Sequence, residues 1–198
     1  MMSYSELRLE MEGKYIPYAE LLKTAEWHRK RYTILSRDHF KCTNCHKEET
    51  FTEYDEERHE VWYCWIDYDV IVRQADGTYK KCDMDFTLAD KPYHMQVHHK
   101  RYILNRLPWE YNNEDLITLC NWCHSTFHQS NEVDIFAEDG KTLIANLKPC
   151  SRCHGAGSFP EYSHVQSGIC FSCGGERYEQ PLVNINRYTG LENPADTL

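Results

Sequence analysis

Eight of the ten cysteines in this chain fall into four C-x-x-C pairs: Cys42/Cys45, Cys120/Cys123, Cys150/Cys153 and Cys170/Cys173. Thiolates two residues apart bite one tetrahedral ion, so four such pairs favour structural zinc over disulfides or a redox dithiol. Joining the last two pairs closes a loop of about twenty residues, which costs less entropy than reaching back to Cys42. Two four-cysteine zinc sites are therefore expected, one from Cys42, Cys45, Cys120 and Cys123 and one from Cys150, Cys153, Cys170 and Cys173. Cys64 and Cys82 are left over, and the expectation for them is a small buried hydrophobe.

A length of 198 residues suits one ordinary domain with a small satellite. No apolar run approaches the roughly 18–20 residues needed to span a bilayer. The opening "MMSYSELRLEMEGKYI" lacks the basic-then-apolar order of a signal peptide, so a cytoplasmic location without membrane attachment is expected. The net charge of −9 argues against non-specific coating of nucleic acid. Its distribution is uneven. Lys23, Arg29, Lys30, Arg31, Arg37, Lys41 and Lys47 face only Glu26 and Asp38 within 23–47, whereas 48–90 is strongly acidic. A basic face of this kind could touch phosphates while the acidic part meets a protein partner; two solvated faces would look the same.

"TAEWHRKRYTILSRD" (24–38) predicts an amphipathic helix capped by Thr24, with Trp27, Arg31, Ile34 and Leu35 on one stripe. "VWYCWIDYDVIV" (61–72) alternates with period two and predicts a single strand. The "ADG" that follows suggests a tight hairpin into "TYKKC". "YHMQVHH" and "LITL" predict two more strands, and 122–129 a short helix. "VDIFAEDGKTLIANL" predicts another hairpin on an Asp-Gly turn. The expected division is a helical lead-in (1–40), a core (41–131) with an acidic β insertion at 48–90, a ribbon (132–180) and a polar tail (181–198).

The stretch "LCNWCHSTFH" (119–128) holds two cysteines and two histidines. Successive helical residues rotate by about 100°, so Cys123 and His124 diverge while His124 and His128 share a face. The histidines thus point to a second ion with open positions, and "VHHK" (97–100) supplies His98 and His99 nearby. With "FKCTNC" (40–45) and "EDLITLCNWCHSTFH" (114–128), this order resembles the HNH, or ββα-metal, nucleases over about residues 23–130.

That resemblance implies an α+β fold: a ββα-metal core with four-cysteine zinc knuckles, followed by a small zinc ribbon. It implies a metal-dependent endonuclease hydrolysing phosphodiester bonds, most naturally in DNA, with one catalytic Mg²⁺, Mn²⁺ or Zn²⁺ besides the two structural zincs. His99 matches the family's general base, and His98, His124 and His128 match metal ligands. Asp115 stands where the family often has the Asn that braces the base-bearing loop; Asn112 or Asn113 could substitute. His98 and His99 are adjacent, so they converge on one phosphate only if the strand ends or bulges there. Lys100, Arg101 and Arg106 are candidate phosphate contacts, while Trp109 and Tyr111 read as packing residues. "CSRCHGAG" is similar to the cysteine-glycine repeat of DnaJ-type chaperones, but no His-Pro-Asp signature accompanies it. The ribbon then reads as a contact for nucleic acid or protein, with His154 and His164 superfluous to a site already filled by four thiolates. The alternatives to a DNA endonuclease are a ribonuclease and a non-catalytic zinc module that docks nucleic acid or a protein partner.

Overall fold

The computed structural model describes residues 1–12, 14–66, 70–73, 79–82, 85–145 and 147–183. It begins with helix α1 (Tyr4–Met11), opened by a capping box in which Ser3 and Glu6 satisfy each other's backbone donors. A one-turn helix α2 (Tyr18–Leu21) leads to α3 (Ala25–Arg37), whose Thr24 cap accepts the Trp27 N–H as expected. Trp27, Ile34 and Leu35 form the buried stripe of α3, and Arg31 lies beside it, donating to the Met95 carbonyl at 2.7 Å.

The acidic insertion contains strands β1 (Thr50–Tyr54), β2 (Glu60–Ile66), β3 (Val70–Arg73), β4 (Tyr79–Cys82) and β5 (Asp85–Leu88). The period-two run 61–72 is not one strand. β2 pairs with β1 and β5 in a three-stranded antiparallel sheet, while among the described residues β3 pairs with β4. The β3–β4 pairing follows the expected hairpin, although its Asp-Gly turn lies outside the described residues. Cys64 is half-buried on this open sheet, with its thiol near the Thr87 carbonyl, so it does not serve as a core hydrophobe. The Cys82 side chain lies outside the described residues.

The centre of the fold is a ββα unit. Strand β6 (Met95–His99) pairs antiparallel with β8 (Leu116–Cys120), in unbroken register from Met95↔Cys120 to His99↔Leu116. β8 runs directly into helix α4 (Asn121–Ser130). Between them, the short β7 (Tyr102–Ile103) pairs in parallel with β9 (Ile135–Phe136). The expected hairpin at 133–147 is reduced to one bridge, Phe136↔Leu143, around Gly140 at φ +66°.

Two apolar clusters hold these pieces together. The first packs the α3 stripe against Met95, Val97, Leu116 and Leu119 of the β6–β8 ladder, with Tyr111 buried beside them. The second joins Leu7, Ile16, Tyr18 and Leu21 to Tyr102, Ile135 and, from the far end of the chain, Tyr178, Leu182 and Val183. The supposed tail therefore begins later than 181: Leu182 and Val183 are core residues, and the Leu182 carbonyl accepts the Asn105 N–H at 2.8 Å. Residues 184–198, the rest of that tail, lie outside the described residues. No helix among the described residues is long and apolar enough to cross a membrane.

Candidate metal centre

The end of α3 delivers Cys42 and Cys45, and the β8–α4 junction delivers Cys120 and Cys123. Cys45 Sγ and Cys120 Sγ are 3.7 Å apart. Sulfurs bound to one tetrahedral zinc at about 2.3 Å sit about 3.8 Å from each other, and a disulfide would need about 2.05 Å. Backbone N–H groups of Cys45 and Cys123 point at the Cys42 and Cys120 sulfurs, and Asn44 Nδ2 donates to Cys123 Sγ at 3.3 Å. These donors favour thiolates. Without a metal, burial pushes the Cys45 and Cys120 thiols up, while at Cys42 burial is outweighed by the N–H groups of Cys45, Cys120 and Asn44, which bring it down to about 7. The second cluster repeats the pattern, with 4.0 Å between the sulfurs of Cys150 and Cys170 and 3.8 Å between those of Cys153 and Cys173. Both four-cysteine sets have the geometry to hold structural zinc, as the spacing predicts. His154 and His164 are exposed and belong to neither.

A third cluster contains no sulfur. Strand alternation turns His98 toward α4, where His124 and His128 project one turn apart, and their ligand atoms lie within 4.8 Å of one another. Ring centroids are 5.1 Å apart for His98–His124, 5.0 Å for His98–His128 and 4.7 Å for His124–His128. All three are buried. Burial, followed by the positive charge of Arg177, lowers His98 to about 4. Burial followed by His98 lowers His128 to about 3, and burial followed by His128 holds His124 well below the ordinary value. The rings are thus neutral at physiological pH, the form that binds metals.

Both nitrogens of His98 and Nε2 of His128 are buried without a hydrogen-bond partner. Lone pairs in that position cost free energy unless something occupies them, and a cation held by imidazoles would do so. The backbone of His154 supports a proton on the His128 ring, and a Cβ at Gly155 would come 3.2 Å from His128 Nδ1. The ribbon backbone thus packs against the Nδ1 side of the His128 ring. Three neutral nitrogen ligands suit zinc and leave a fourth position open.

His99 is not brought into this trio. The ladder has no bulge, so its ring points to the opposite face, stacked against Trp27 at 5.5 Å and Tyr102 at 5.3 Å, with Tyr111 at 4.5 Å edge-on. Its Nε2 faces the Pro108 carbonyl at 3.3 Å. Burial and the Arg177 charge, opposed by that carbonyl, lower it to about 3. Asp115 does brace the following turn: its carbonyl accepts the Lys100 N–H at 2.8 Å and its carboxylate holds Arg101 at 2.9 Å. The Asn112 carbonyl accepts the Asp115 N–H at 3.1 Å, and Asn113 receives Lys30 and Arg37.

Among the proposed phosphate contacts, Lys100 is exposed, Arg101 is engaged by Asp115 and lies over Phe136, and Arg106 lies over Tyr111. Much of the basic 23–47 segment is also paired within the chain: Lys23 with Glu20, Arg29 with Glu26, Arg37 with Asp38, Lys41 with Glu48 and Lys47 with Asp90. Tyr111 packs as expected, its hydroxyl taking the Ile103 N–H, and Trp109 lies edge-on to Tyr4. One charged residue near the histidines had no signal in the sequence. Arg177 lies beyond the last cysteine pair and reaches them only because the ribbon folds back, lining with His124 a cleft of about 1040 Å³. Comparison with family models, curated proteins and solved structures finds no match for this chain.

Proposed function

We propose that this protein is a metal-dependent endonuclease of the HNH type that hydrolyses phosphodiester bonds, with DNA as the substrate. The observation that carries this reading is the convergence of His98, His124 and His128, buried and neutral, on a ββα unit whose sulfur cluster is separate. In it, His98, His124 and His128 hold one divalent ion. When bound, that ion supplies Lewis-acid stabilisation of charge on a phosphate oxygen. His99, expected as the general base, is turned to the opposite face of the ladder with its Nε2–H on the Pro108 carbonyl, so the reading rests on the ion held by His98, His124 and His128, and Asp115 fixes the turn that follows His99. The ribbon (132–180) adds a contact for nucleic acid or protein, and the acidic sheet of 48–90 a protein-facing surface. A cytoplasmic setting suits the thiolate clusters.

The enclosure of His99 by Trp27, Tyr102 and Tyr111 favours a second reading, a zinc module that binds nucleic acid or a protein without turnover. A base lowered to about 3 is poorly matched to proton transfer at neutral pH. Plasmid nicking with Mg²⁺, Mn²⁺ or Zn²⁺ separates the two. The nuclease reading expects cleavage by the wild type, and its loss in His124→Ala. Absence of cleavage by fully metal-loaded wild type, or equal cleavage by His124→Ala, sinks it. Competition between labelled DNA and RNA decides the substrate.

A further inference from the structure

Taking His98, His124 and His128 as a metal centre, as proposed above, the electrostatics of that centre are unbalanced. The cluster contains no carboxylate, so a bound dication would keep its full charge. A second positive charge stands beside it. Arg177 follows the Gly174–Gly175 turn of the last zinc knuckle and lines the same cleft as His124, Gln96 and Arg31, with Glu20 and Glu49 also on its wall. Its guanidinium carbon lies 4.8 Å from the Tyr18 ring centroid, and its stem passes Gly157, where a Cβ would come 3.1 Å from Arg177 Cγ. Nε is buried with no hydrogen-bond partner. Among the described residues no carboxylate forms an ion pair with it; its neighbours are the tyrosines Tyr18, Tyr102 and Tyr178, with Tyr102 hydrogen-bonded to it, and the sulfur of Cys153. Glu176, the preceding residue, caps the Tyr18 N–H at 2.9 Å.

A half-buried guanidinium faced by one thiolate and by tyrosine hydroxyls, but by no paired carboxylate, still leaves net positive charge when it stands beside a dication bound only by neutral groups. An anion spanning both charges removes the imbalance, and a guanidinium presents its donors as a fork that matches phosphate oxygens. We infer that Arg177 is the anion-binding residue of this centre, carried to it by the C-terminal zinc ribbon, and that its ligand is a phosphate group. The ribbon then completes the site, and its four-cysteine cluster serves to position Arg177.

The test uses full-length protein loaded with zinc, with metal counted per chain and inorganic phosphate titrated by calorimetry. Wild type is expected to hold three zinc ions and bind phosphate. Arg177→Gln is expected to keep three ions and bind phosphate about 10-fold to 100-fold more weakly, the range for one charge-assisted contact. Arg177→Lys, which keeps the charge and loses the fork, should fall between them. It is also the deciding variant if Arg177→Gln fails to retain zinc. Phosphate affinity unchanged in the substituted protein, or no phosphate binding by wild type with three ions in place, overturns the inference. Two ions per wild-type chain instead overturns the metal reading beneath it, and with it the inference.

Discussion

The buried state of His99 has a consequence that can be measured against an internal control. In the folded chain its ring is held neutral, with its proton affinity lowered to about 3 by burial, then by Arg177. In the unfolded chain an ordinary histidine titrates near 6.5. Below that pH the unfolded state binds a proton that the folded state refuses, so stability is fully present above about pH 6.5 and falls as the medium is acidified toward 3. Between pH 7.5 and 5.0 the loss from this one residue is about 2 kcal/mol, the slope approaching 1.36 kcal/mol per pH unit below about pH 6. Zinc thiolates and the other histidines also lose ground over this range, but His99→Gln shares those losses. Gln keeps an N–H donor for the Pro108 carbonyl and has no titrating group. Urea unfolding of the two proteins at pH 7.5 and pH 5.0 should therefore show the variant gaining about 2 kcal/mol relative to wild type on acidification, whatever its offset at pH 7.5. Histidine ¹⁵N shifts should show the ring neutral at pH 5. A stability gap that does not move with pH, or a His99 ring protonated near pH 6.5, would refute the enclosed position assigned to it.

Three further outcomes follow from local geometry. Gly168 sits at φ +73° with the Phe159 carbonyl oxygen where a Cβ would go, so Gly168→Ala should destabilise the ribbon by about 2 kcal/mol or more, seen as faster zinc release to a chelator. Thr24, 1% exposed, takes the Trp27 N–H and donates to the Leu21 carbonyl at 2.8 Å; Thr24→Val should cost about 1–2 kcal/mol in urea unfolding. Asp115→Asn keeps the backbone acceptor for Lys100 but discharges the Arg101 pair, and the loss, about 1 kcal/mol, should shrink at high salt.

Much of the scaffold was legible because metal-binding spacing is a local code. C-x-x-C pairs and histidines four apart restrict the backbone within a few residues, so the β6–β8–α4 unit and both sulfur clusters follow from the sequence. The capping box at Ser3 and Glu6 is equally local, yet α1 is not among the helices expected from the sequence, since its apolar pattern does not bring it out. The run 61–72 misleads for the opposite reason. Alternation persists through Asp67, Tyr68 and Asp69, and nothing in a period of two shows that β2 and β3 choose different partners. The direction of His99 was legible as a condition, since adjacent strand residues diverge unless the ladder bulges; the unbroken pairing to Leu116 decides it.

Arg177 was illegible because its position depends on packing between the chain's ends. Tyr178, Leu182 and Val183 join Leu7, Ile16, Tyr18 and Leu21 in one cluster, and that docking swings the last knuckle over the histidines. The sulfur cluster of the ribbon lies well apart in sequence from the imidazoles, yet the ribbon supplies them with Gly155 against His128 and with Arg177 in the cleft. A ribbon attached only by a flexible link could do neither. Zinc loss at Cys150, Cys153, Cys170 and Cys173 should therefore weaken metal retention at His98, His124 and His128 even though no ligand there has changed. A Cys170→Ser/Cys173→Ser protein that still holds an ion on its histidines with wild-type affinity would show the two to be independent.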